Sequence, residues 1–85
     1  MIDVVVYSRP GCHLCGEAVA TLISLHEQGY RFALHEVDIE SDELLLRRHL
    51  EKIPVVEVAG AVVSELVLDE AAVRARLDTV GAWSR

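Results

Sequence analysis

Val4-Val5-Val6-Tyr7-Ser8-Arg9-Pro10-Gly11-Cys12-His13-Leu14-Cys15 sets the architecture of this chain. With Ile2 and Asp3 in front of it, the run to Tyr7 is short, β-branched and almost continuously apolar. Such a run suits a strand buried on both faces. Ser8-Arg9-Pro10-Gly11 breaks it, because proline and glycine side by side punctuate regular structure. From Cys12 to Gln28 the period becomes helical: Cys15, Val19, Leu22 and His26 fall on one stripe, which Ala18, Ile23 and Leu25 widen. Gly29 stands where a helix C-cap belongs. Gly16, inside the helix, costs about 1 kcal/mol relative to alanine, and close approach by another chain or ligand is one reason for it.

Beyond this segment, Tyr30 to Ile39 alternates through Phe32 and Leu34 and then slips phase to Val37 and Ile39. This predicts a second strand at a sheet edge, with a kink or bulge near His35-Glu36. Ser41 or Asp42 caps a short helix running to about His49 and carrying Leu44, Leu45, Leu46 and Leu50. After Ile53-Pro54, Val55–Val58 and Ala61–Ser64 flank an Ala59-Gly60 turn and read as a hairpin. Asp69 caps a last helix with Ala72, Val73, Leu77 and Val80 inward; Gly81 stops it, and Ala82 to Arg85 form a tail. The order is βαβαββα. The first strand, helix and second strand form a βαβ unit with parallel strands and a right-handed crossover. The hairpin strands are antiparallel, so the expected architecture is a mixed four-stranded sheet flanked by helices, a single α/β domain over 1–85.

Composition excludes several functions. Fourteen acidic against eight basic residues give a net charge of −6, with the basic residues scattered. Nucleic-acid affinity rests on a concentrated positive face, so no nucleic acid is expected as a partner. Uncharged stretches fall far short of a membrane span, and the N-terminus has no basic flank, apolar run and cleavage site. The expectation is a soluble, cytoplasmic, monomeric protein.

Two cysteines are too few for the disulfide framework of a small secreted scaffold. Their spacing carries the information. Residues at i and i+3 on a helix have Cβ atoms about 5–6 Å apart, and a disulfide needs Cα atoms about 4.4–6.8 Å apart, so the pair can exist as dithiol or disulfide. Cys12 sits at the helix mouth, where unpaired N–H groups and the macrodipole favour an anion. Cys15 lies on the apolar stripe, where burial favours the neutral thiol. Cys12 is therefore the candidate nucleophile and Cys15 the resolving thiol. Arg9 and His13 flank Cys12 and are candidates to stabilise its thiolate.

Three other readings of the pair stand beside this one. As a staple it is weak, since so short a loop yields about 2 kcal/mol. As zinc ligands it supplies half a tetrahedral site, and His26, His35 and His49 show no ligand spacing and read as surface or half-buried histidines. As two unreactive thiols it would have no chemistry. Proline at the first residue of a strand, as Pro54, needs no function, and X–Pro bonds are mostly trans.

The combination of Tyr7 to Cys15, then Val37-Asp38-Ile39, then Ile53-Pro54-Val55-Val56 with Gly60 behind it resembles the glutaredoxin-like branch of the thioredoxin superfamily, in order and over nearly the whole chain. The resemblance implies a thioredoxin-like fold and thiol–disulfide oxidoreductase activity, with Cys12 attacking and Cys15 resolving. It also implies a cis bond before Pro54 beside the disulfide, with the Ile53 backbone pairing to an extended substrate. No resident cofactor or metal follows. Implied partners are a disulfide-containing protein or small thiol as substrate, and a reductase or glutathione as electron donor. Two departures bear on this. His13-Leu14 replaces the Pro-Tyr of glutaredoxins proper, and Val62-Val63-Ser64-Glu65-Leu66 lacks the family's Gly-Gly pair, with Asp69 the candidate for its acidic position. The missing pair counts against glutathione. The alternatives are an iron–sulfur cluster or metal carrier using Cys12, or a non-catalytic binding module using the Pro54 edge.

Overall fold

The computed structural model describes residues 1–83. Its elements are β1 (Asp3–Ser8), α1 (His13–Glu27), β2 (Ala33–Asp38), a 3-10 turn over Ile39–Ser41, α2 (Glu43–His49), β3 (Val55–Val58), β4 (Ala61–Glu65) and α3 (Glu70–Thr79). They form one mixed sheet in the order β2-β1-β3-β4. β1 runs parallel to β2 and antiparallel to β3, and β3 is antiparallel to β4.

Local chemistry sets the boundaries. Asp42 Oδ1 accepts from the Leu44 N–H at 2.8 Å and Asp69 Oδ1 from the Ala72 N–H at 3.0 Å, so both are N-caps. α1 ends in a Schellman motif: the Gly29 N–H donates to the His26 carbonyl and the Tyr30 N–H to that of Leu25. Gly29 takes φ +119°, and a Cβ there would lie 3.2 Å from Trp83 Cζ3. Ala59 and Gly60 both have positive φ, as a two-residue hairpin turn with the twist of the strands requires.

The main core lies on one face of the sheet. Val4, Val6, Val56 and Val58 meet Leu22 and Leu25 of α1 and Val73 and Leu77 of α3. Val5 and Tyr7 leave β1 on the opposite face, where the Tyr7 ring stacks on His49 of α2 with centroids 4.5 Å apart. α2 therefore covers the second face.

Several expectations need correction. The β1–β2 register runs unbroken from Asp3↔Ala33 to Ser8↔Asp38, without a bulge at His35-Glu36. The slip in alternation arises because Phe32 precedes the strand and Ile39 opens the 3-10 turn. The irregularity falls instead on the outer strand β4, where Val56 faces Ser64 and Glu57 faces Val62, leaving Val63 as the extra residue. Tyr30 is outside β2 and bridges to Trp83, so tertiary pairing with the C-terminal segment overrides its strand propensity. The tail read over Ala82 to Arg85 is described only to Trp83; Ser84 and Arg85 lie outside the described residues.

The buried stripe of α1 is Cys15, Ala18, Leu22 and Leu25. His26 is exposed, its ring edge-on to Phe32, and Ile23 is half exposed, so the helix is rotated relative to the expected seam. Leu44 and Leu50 also remain exposed around α2. His49, read as a surface or half-buried histidine, is only 5% exposed.

Candidate functional site

β1 ends at Ser8, and Arg9 to Gly11 turn the chain into α1. Gly11 takes φ +79°, a conformation that disfavours side chains. The Cys12 N–H donates to the Arg9 carbonyl at 3.2 Å, which closes the turn and sets Cys12 as the N-cap of α1. Cys12 is half-buried, while Cys15 is 2% exposed under the first turn. A disulfide joins them, with Cα atoms 5.2 Å apart. The Cys15 N–H points at Cys12 Sγ, 3.1 Å away, so the sulfur at the mouth occupies the position of a capping acceptor.

An open depression runs beside the disulfide over Gly16 and Ala20, with Arg9, His13 and Glu36 at its rim. Arg9 Nη2 forms an ion pair with Glu40 at 2.7 Å, so its charge is shared with that carboxylate as well as being near Cys12. His13 is 88% exposed and lies 3.5 Å from Glu17 Oε1. Cys12, Arg9 and His13 thus share one rim. Ile53 and Pro54 approach from the other side of β1: Val55 pairs with Tyr7, which puts Pro54 at the sheet end from which the cysteine loop departs. Pro54 is buried, Ile53 is half-buried, and the bond between them is cis.

Glu36 and Ser8 escaped the sequence reading. The buried Ser8 hydroxyl donates to Glu36 Oε2 at 3.0 Å, and this carboxylate lines the depression. The available signal was an acidic side chain inside an expected strand that also carries His35 and Asp38; its neighbour was legible only once the β1–β2 register was known. Gly16 gains a context too. Its φ is not in the positive region, and a Cβ there would meet no atom within 4 Å, so neither backbone nor packing demands glycine. Among the described residues, no group of three or more His, Cys, Asp or Glu is placed to hold a metal ion, and no helix is long and apolar enough to cross a membrane.

A mixed β2-β1-β3-β4 sheet between helices, a CxxC disulfide at the mouth of α1 and a cis proline before β3 define a thioredoxin-fold protein. The model of the glutaredoxin-like domain (DUF836) matches residues 3–78, and the chain belongs to that family. Among solved structures, protein Ne2328 from Nitrosomonas europaea is 32% identical, with a TM-score of 0.77 over 87% of this chain and 88% of that one. Protein XcR50 from X. campestris is 28% identical, with a TM-score of 0.72 over 89% and 96%. A mutant thioredoxin from Halobacterium salinarum NRC-1, at 19% identity and TM-score 0.60 over 99% of this chain and 75% of that one, shares the fold. No curated protein matches the chain.

Proposed function

We propose that this protein is a thiol–disulfide oxidoreductase in which Cys12 is the nucleophile and Cys15 the resolving thiol. The observation that carries the reading is the asymmetry of the pair: Cys12 is half-buried at the helix N-cap, and Cys15 is buried beneath it within bonding reach. In the dithiol form, the Cys15 N–H that now points at Cys12 Sγ is a donor for a thiolate in the same place. Bonds to a charged acceptor are stronger than neutral ones, and the helix terminus adds favourable potential. Arg9 and His13 supply further positive charge at the rim, that of Arg9 moderated by Glu40.

The Cys12 thiolate attacks one sulfur of a substrate disulfide, forming a mixed disulfide and releasing the other sulfur as a thiolate. Cys15 then loses its proton and attacks Cys12 Sγ, releasing the second substrate thiolate and closing the Cys12–Cys15 bond. Two electrons pass from protein to substrate, and the released thiolates take up two protons. An external thiol, from a reductase or a small-molecule dithiol, reverses the exchange and restores the pair. The Ile53 backbone offers an extended substrate an edge to pair with.

The test is reduction of a disulfide-linked peptide by wild type, Cys12→Ser and Cys15→Ser. Turnover is lost in Cys12→Ser, and Cys15→Ser accumulates a mixed disulfide on Cys12 that mass spectrometry detects. Equal turnover in wild type and Cys12→Ser overturns the reading.

A further inference from the structure

His49 is a buried ring with no role in the exchange chemistry. It is 5% exposed at the last position of α2, and its Nδ1 is buried without a hydrogen-bond partner among the described residues. The ring stacks on Tyr7, with centroids 4.5 Å apart and planes 27° apart. Buried polar groups are normally satisfied, so an orphaned imidazole nitrogen marks a position tolerated only in the neutral state.

The backbone around this ring leads directly to the candidate substrate edge. The His49 carbonyl accepts from the Lys52 N–H at 2.8 Å, and the Lys52 carbonyl accepts from the Leu66 N–H at 2.9 Å. Ile53 and Pro54 follow at once, and Val55 is paired to Tyr7, the residue under the His49 ring. Leu66 is a bulky residue at φ +62°, so that loop depends on its tether to hold an unfavourable conformation. α2 has seven residues. Helices shorter than about 12–15 residues do not persist without tertiary packing, and the His49–Tyr7 stack is part of what seats this one.

We propose that His49 is an acid-sensitive latch on the Ile53–Pro54 edge, closed while its ring is neutral and released when the ring is protonated. The inference rests on the oxidoreductase reading only for its consequence, namely that release weakens substrate docking. Protonation puts a charge into a buried site and makes both ring nitrogens donors, Nδ1 with no acceptor beside it among the described residues. The charged groups around the ring divide: Arg48 on α2 and Lys52 in the following turn oppose the cation, while Glu57 on β3 and Glu65 on β4 favour it. Glu57 also interacts with the Tyr7 hydroxyl on β1. Burial dominates and holds the imidazole below its ordinary value. The closed state is therefore favoured above about pH 6.5, the unperturbed histidine value, and is progressively lost as pH falls below it.

The experiment is residue-resolved amide exchange on the whole chain at pH 7.5 and pH 5, corrected for the intrinsic exchange rate. Wild type is compared with His49→Phe, which keeps the stack and cannot be protonated, and with His49→Gln in case the phenylalanine fails to fold. Protection over residues 44–55 falls in wild type relative to β1, by up to about tenfold per pH unit between the unfolded and folded pKa. It stays level in the variants. In parallel, the KM for a peptide disulfide rises on acidification in wild type only. Identical pH profiles in wild type and variants, or a loss of protection spread evenly over all elements, overturn the proposal. A pH-dependent loosening in wild type alone, with Cys12→Ser still active, upholds the latch and removes the oxidoreductase reading instead.

Discussion

Replacing Gly16 by alanine tests whether this glycine serves the fold or the site. Gly16 lies one turn into α1, exposed, outside the positive-φ region, and with open space where a Cβ would stand. No steric cost offsets the gain in helix propensity, which is about 0.8–1.0 kcal/mol for alanine over glycine in a helix interior. Part of the effect acts by narrowing the conformational freedom of the unfolded chain. For a domain of this size the gain corresponds to a rise in Tm of about 4–8 °C. Urea denaturation of the oxidised protein measures it, with the midpoint rising at unchanged m-value. An unchanged or lower midpoint would refute the reasoning, because the methyl group would then be meeting something in the native state. The same methyl group rises from the floor of the depression beside the disulfide. Slower reduction of a protein disulfide by this more stable variant would assign the glycine to partner approach.

Two further outcomes follow from the geometry. Reducing the Cys12–Cys15 bond, with its sequence separation of 3, lowers unfolding stability by about 2 kcal/mol on the loop-closure relation. Paired denaturation curves with and without reductant check this, and equal stabilities would show that the dithiol form regains the loss through thiolate contacts. Tyr30→Phe removes the hydroxyl that donates to Asp78 Oδ1 at 2.9 Å, at a cost of about 1 kcal/mol. Burial, and then the Asp78 carboxylate, raise the Tyr30 pKa above 10.0. The native state thus keeps its proton where the unfolded chain loses it, so stability is full below pH 10 and falls as pH rises from there through the folded pKa. Stability measured across that range declines less steeply in Tyr30→Phe; parallel profiles would contradict the assignment.

The residues that set local geometry were legible in the chain. Asp42 and Asp69 cap their helices because an oxygen two or three residues before a free N–H is a short-range matter. Gly29 and the Ala59-Gly60 pair end and turn the backbone for equally local reasons. The spacing of Cys12 and Cys15 at a helix mouth marked them as a bondable pair, since local geometry brings an N-cap residue and one in the first helical turn within reach.

What remained illegible depended on contacts between distant segments. Tyr30 has strand propensity, yet its partners are Trp83 and Asp78, across the molecule. Arg9 is adjacent to the cysteine loop in sequence, but its direction is decided by Glu40 beyond β2. Glu36 reaches the disulfide's surroundings only because the parallel register sets it opposite Val6, beside the strand end that carries Ser8. His49 gives no local sign of burial, because the ring that covers it belongs to β1. Element order, helix caps and the cysteine pair can be read straight from the chain, since each is fixed by interactions within a few residues. Strand register, the rotation of α1 and the burial of His49 emerge only on folding, because each is the joint outcome of packing surfaces contributed by separate parts of the chain.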